Sequence, residues 1–171
     1  GLITALVLHA LLARRWQLLF WQTALVCTLG YATHALLDSA TSYGTQLFWP
    51  FSDTRVSWSI VSIIDPLFTV PLATVVIMAA IKRNPWLARL GLAWALLYLS
   101  LGWIQHQSAM RMGEEIATSR GHTPIRLEVK PSFANILAWK SIYETEDRFY
   151  VDAVRANVAP KIFTGMSVAK L

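Results

Sequence analysis

His34 and Asp38 stand four residues apart where a long apolar run gives way to polar sequence, Ala32-Thr-His-Ala-Leu-Leu-Asp-Ser-Ala-Thr-Ser-Tyr43. On a helix that spacing puts an imidazole and a carboxylate on one face, about one turn apart, able to grip one metal ion or one proton. Asp65 is the second such residue, in Ser62-Ile-Ile-Asp-Pro-Leu-Phe-Thr-Val-Pro71. On a helix starting near Val56 it would lie about 13 Å along the axis, at 1.5 Å per residue. A carboxylate at such depth in a bilayer costs several kcal/mol unless it is paired, protonated or bound to a cation. Pro66 is expected to kink that helix and free a backbone carbonyl, so Asp65 should face the bundle interior. His106 follows Gly102-Trp-Ile-Gln105 at a helix end. His34, Asp38, Asp65 and His106 together are a plausible ligand set for zinc or manganese. Asp38 or Asp65, when not ligating, would accept the proton of a metal-bound water, and Thr41, Ser42 and Tyr43 could orient a substrate. Each residue also has a structural reading. His34 and Asp38 can be an interfacial pair closing a helix, Asp65 a polar link between helices, and His106 a solvated histidine. For His9 and His122 the structural reading is the better one.

The elements that must position these residues are read from the apolar runs. Of the 171 residues 55% are hydrophobic, only 15% are charged and eight are tryptophan, with a mean hydropathy of +0.44. Soluble domains carry about 25% charged residues, so the composition points to a membrane protein. The apolar segments are Leu2 to Ala13, Trp16 to Leu37, Val56 to Ile81 and Trp86 to Ile104. Each of the last three could cross a membrane, which requires about 20 residues; the first, shorter, reads as the tail of a crossing that begins upstream. The expected architecture is an α-helical membrane protein: a bundle of about four transmembrane helices over residues 1–106, then a small mixed α/β appendage over residues 107–171. In that tail Gln107 to Arg120 reads as a short helix stopped by Gly121. Ile125 to Val129 reads as a strand, and Ile136 to Tyr143 with Arg148 to Val154 as a hairpin around Glu144–Asp147.

Charge sets the expected topology and excludes some partners. Arg14 and Arg15 lie in one short connection, with Lys82, Arg83 and Arg89 around another, and the positive-inside rule places both in the cytoplasm. The connection from Ser39 to Arg55, with Phe48-Trp49-Pro50-Phe51, then faces outward, as does the C-terminal tail. The formal net charge of +5 fits membrane headgroups; no basic-aromatic pattern favours nucleic acid. Membrane lipids are the expected partners. Cys27 is the single cysteine and reads as a small buried hydrophobe. There is no Gly-rich phosphate loop, no paired-cysteine metal knuckle and no G-x-S-x-G nucleophile.

Three linked blocks, His34-Ala-Leu-Leu-Asp38-Ser-Ala-Thr-Ser-Tyr-Gly-Thr45, Trp49-Pro-Phe51 and Ile64-Asp-Pro-Leu-Phe-Thr69, resemble the YdjM-like family of bacterial membrane-bound proteins, described as metal-dependent hydrolases. Pro131-Ser-Phe-Ala-Asn135 and Leu137-Ala-Trp139-Lys140 resemble that family's soluble tail. The resemblance implies a multi-pass inner-membrane protein in which His34, Asp38 and Asp65 match the family's polar positions, with His106 matching less closely. It also implies a further histidine motif upstream of Gly1, so that the chain looks truncated at its N-terminus. The expected function is metal-dependent hydrolysis at the membrane interface, on a small or lipid-linked substrate such as a phosphoester. The alternative is a non-catalytic membrane protein, handling ions or protons or serving as a scaffold, whose His and Asp residues are structural.

Overall fold

The computed structural model describes residues 1–11, 17–156 and 159–170. Four helices are followed by four strands: α1 (Leu2–Leu11), α2 (Phe20–Ala40), α3 (Pro66–Lys82), α4 (Pro85–Ser119), β1 (Arg126–Pro131), β2 (Ala138–Glu144), β3 (Arg148–Arg155) and β4 (Lys161–Ala169). The chain divides into two compact units. One comprises Gly1–Ser39 with Gly44–Ser57, the other Ala40–Tyr43 with Trp58–Leu171.

In the first unit, His9 Nδ1 and Thr23 Oγ1 lie 3.1 Å apart, and the His9 ring meets Phe20 edge-on. Both partners are thereby satisfied among apolar neighbours, which is the structural role the sequence indicates for His9. Beyond α2, Thr45 and Val56 exchange two backbone hydrogen bonds of 2.9 and 2.8 Å and close the loop that carries the Phe48–Phe51 aromatic cluster, with Trp49-Pro50 in the cis form.

The second unit is built on α4. Its buried residues, Gly91, Tyr98, Gly102, Ala109, Met112, Gly113, Ile116 and Ala117, recur at intervals of three, four and seven, the stripe of a single helix face. The upper part of that stripe receives α3, which arrives through a turn of two residues. Arg83 takes a left-handed backbone (φ 49°), and the Asn84 side chain accepts the Trp86 amide to start α4. Leu72, Val75 and Val76 of α3 pack beside Gly91. The lower part receives the sheet, an antiparallel meander in the order β1-β2-β3-β4, of which β1, β2 and β3 contact α4. Alternation sorts the strands: Trp139, Ser141 and Tyr143 of β2 are buried, while Lys140 between them is exposed.

Among the described residues only α4 is long and apolar enough to cross a membrane. The expected four-helix transmembrane bundle is therefore corrected. In α2, Gln22, Thr23, Thr28, Thr33, His34, Asp38 and Ser39 interrupt the apolar residues. The run Val56 to Ile81 is not one helix, because residues 56–65 are not helical and α3 starts at Pro66, which leaves 17 residues. Pro66 does not kink a helix; it occupies the first turn, where its missing N–H costs nothing. The expected helix Gln107–Arg120 is not separate either, being the last third of α4. The appendage is consequently a pure antiparallel sheet, with β4 as a strand the sequence reading omitted. Arg14 and Arg15, on which the topology reading leaned, lie outside the described residues, and with one helix of spanning length the orientation of the basic connections and of the tail loses its basis.

The closest approach along α4 is at Gly102, where a Cβ would stand 2.4 Å from the Ile60 carbonyl oxygen. Backbone cannot yield as a flexible side chain does, so Gly102→Ala is expected to destabilise the chain by about 1–3 kcal/mol, an overpacking cost. Thermal unfolding in detergent, followed by circular dichroism, checks it; an unchanged midpoint would refute the close packing of the 58–62 segment on α4.

Candidate functional site

The Asp65 side chain is 1% exposed, and its surroundings account for both carboxylate oxygens. Oδ1 accepts the backbone N–H groups of Leu67 (3.1 Å) and Phe68 (3.3 Å), making Asp65 the N-cap of α3. A capping carboxylate satisfies amides that have no partner within the helix and favours the positive end of the helix dipole. Oδ2 accepts the Tyr98 hydroxyl at 2.7 Å. The Tyr98 ring is tilted against Phe68 and Trp94, with centroids 5.4 and 5.7 Å away, and the Trp94 indole N–H donates to the Phe68 carbonyl at 3.3 Å. Asp65, Tyr98 and Trp94 thus join the first turn of α3 to the middle of α4.

The other three sequence-predicted ligands are placed differently. His34 Nε2 and Asp38 Oδ2 lie 3.4 Å apart on α2, with side chains 71% and 45% exposed. The four-residue spacing does bring them together, at the surface. His106 is stacked on Trp103 and meets Trp139 of the sheet edge-on at 5.7 Å. Its Nδ1 is buried and has no hydrogen-bond partner among the described residues. Along α4 it is eight residues, about 12 Å, beyond Tyr98. Among the described residues no group of three or more His, Cys, Asp or Glu side chains is placed to hold a metal ion. His34 and Asp38 supply two donors where zinc ordinarily takes four, and Asp65 spends its oxygens on the cap and on Tyr98. Thr41 bridges to Val61, Ser42 lines a cavity, and Tyr43 is exposed.

A second polar constellation, absent from the sequence reading, lies where α4 ends. Arg120 donates to both carboxylate oxygens of Asp152, at 2.7 and 2.9 Å, and to the Tyr143 hydroxyl at 3.1 Å. Asp152 also accepts the Gly165 amide of β4 at 2.9 Å. Tyr143 and Tyr150 stack with centroids 4.7 Å apart, and Arg120 lies over both rings. His122 closes the group, its Nδ1 2.9 Å from the Tyr143 hydroxyl. Burial raises the Asp152 pKa, but the Arg120 bonds and the Gly165 amide outweigh it and hold the carboxyl below its ordinary value. Arg120 moves up, chiefly through its bond to Asp152 and then to Tyr143. A bidentate, buried pair of this kind ties the helix end to β2, β3 and β4 at once. The signal in the sequence is the position of Asp152 on the inward face of a strand, between Tyr150 and Val154, where an ionised group requires a partner.

The model of the YdjM inner membrane protein family matches residues 1–109. The chain belongs to that family. The matched residues take in α1, α2, α3 and the apolar part of α4, with His34, Asp38, Asp65 and His106; the sheet lies beyond them. Membership puts the protein among inner-membrane proteins, and among the described residues α4 is long and apolar enough to cross a bilayer. Comparisons with curated proteins and with solved structures give no match.

Two outcomes are expected from these contacts. Asp65→Ala leaves two amides and the buried Tyr98 hydroxyl without an acceptor and should cost about 2–4 kcal/mol, against about 1 kcal/mol for Tyr98→Phe, measured by unfolding in detergent. For Asp152 the folded pKa is depressed. Its contribution is therefore complete above the ordinary aspartate value near 3.8 and is lost as pH falls through the lower folded value. Asp152→Asn should cost about 3 kcal/mol at neutral pH and flatten the acid limb of the stability profile; an unchanged acid limb would show that the pair does not carry it.

Proposed function

We propose that the chain is a non-catalytic inner-membrane scaffold, in which α3 and α4 seat the protein in the bilayer and the far end of α4 holds the antiparallel sheet for interaction. The observation that carries this reading is the Asp65 carboxylate, with its three hydrogen bonds from Leu67, Phe68 and Tyr98. The most deeply buried acid of the apolar region is occupied in joining helices, so it is poorly placed to accept a proton from water. The Arg120–Asp152 pair supports the same view, because it fixes the sheet on the helix without opening a cleft around a reactive group.

A second reading rests on a different observation. His34 and Asp38 are adjacent and exposed, and that pair is the part of the expected metal-dependent hydrolase that the fold keeps together. In that reading the two residues donate to zinc or manganese, further ligands come from elsewhere, and the substrate is a lipid-linked phosphoester.

One assay separates the two. The full chain in detergent or lipid, supplied with zinc or manganese and a phosphoester lipid, should release no more phosphate than a His34→Ala/Asp38→Ala variant. Metal-dependent turnover abolished in that variant would overturn the scaffold reading in favour of hydrolysis.

A further inference from the structure

An open cavity of about 380 Å³ lies in the second unit, lined by Ser42, Ser62, Ile63, Lys130, Pro131, Ser132, Phe133, Lys140 and Ile142. Its volume is within the range of small-ligand sites. Lys130 and Lys140 are direct partners in the β1–β2 register, so their side chains leave the same sheet face side by side. Like charges directly opposite each other destabilise a sheet, and an anion between them reverses that repulsion. Lys130 shares the Glu128 carboxylate with Arg126, while Lys140 makes no ion pair among the described residues. Arg126 and Lys130 thus share one carboxylate, and Lys140 beside them adds a positive charge without a counterion among the described residues.

The remaining lining supplies donors and an apolar rim. Ser62 Oγ accepts the Ala134 amide, which leaves its O–H to donate to a ligand, and Ser42 and Ser132 line the same space. Phe133 is 73% exposed and Ile63 56%. A free inorganic anion has no use for such a rim; an acyl-bearing anion does.

We infer that this cavity binds the phosphate-ester headgroup of an acidic phospholipid, with Lys130 and Lys140 on the phosphate, the serine hydroxyls on its oxygens, and Phe133 and Ile63 against the lipid's apolar part. The inference rests on the membrane placement of the scaffold reading, and it names a ligand for the β1–β2 end of the sheet. Basic residues at a membrane surface attract acidic lipids generally; what sets this site apart is a pair of facing lysines at a cavity whose lining includes three serines.

The test uses the full chain in neutral detergent micelles and measures binding of phosphatidylglycerol carrying a fluorescent acyl chain, beside the phosphatidylcholine analogue. Phosphatidylglycerol should bind at least tenfold more tightly, and Lys130→Gln/Lys140→Gln should weaken it about tenfold while melting as the wild type does. Lys161→Gln, a charge removed from β4 outside the cavity, should change binding less than twofold. Equal weakening by Lys161→Gln, or no weakening by the double variant, would overturn the site. Ser132→Ala gives a second reading at the cavity with no change of charge, and a loss of threefold or more is expected. Inorganic phosphate should fail to displace the lipid at millimolar concentration; full displacement would assign the cavity to the free anion and overturn the lipid. Flotation with neutral vesicles reports membrane anchoring independently of the headgroup, so a chain that fails to float would overturn the scaffold reading and not the cavity's anion chemistry.

Discussion

The Asp65 carboxylate is the constraint on which the second unit depends. It stands where an extended segment turns into an apolar helix, a place where several amides would otherwise be unsatisfied in surroundings poor in water. By accepting two of those amides and the Tyr98 hydroxyl, one side chain starts α3 and sets its height against α4. Two short caps, Asp65-Pro66 and Asn84-Pro85, thus define the helical hairpin, each combining a side-chain acceptor with a proline in the first turn.

The same economy of contacts holds at the other end of α4. Small residues on its buried stripe, Gly102, Ala109, Gly113 and Ala117, allow backbone and sheet to come close. Ile60 rests on Gly102, and Leu127 and Ser141 on Gly113. Packing alone would leave the sheet free to slide along so smooth a surface. The Arg120–Asp152 bond, with its stacked tyrosines, gives the contact a single register.

Much of this was visible in the sequence, for reasons that differ by residue. The His34–Asp38 neighbourhood follows from helical spacing, and the β2–β3 hairpin from alternation around a polar turn. The burial of Asp65 could be read from its apolar context, but its role could not, because the run Val56–Ile64 is apolar enough to pass as helix and hid the Asp-Pro start signal. At Gln105 the composition turns polar while nothing stops the helix before Gly121, so a change of partner from α3 to the sheet reads, in sequence, as a change of element. β4 escaped notice because an exposed edge strand has no buried face to impose a pattern, and Gly165 interrupts what pattern there is. Arg120 and Asp152 are 32 residues apart, a pairing that no local spacing announces.

An unbroken α4 has a mechanical consequence. Its 35 residues make a rod about 52 Å long, well over the roughly 30 Å of a bilayer's hydrocarbon. The sheet is clamped near the C-terminal end of α4, with no break in the helix between the sheet and α3. The sheet's direction is therefore coupled to the helix axis: any tilt of α4 carries the sheet with it.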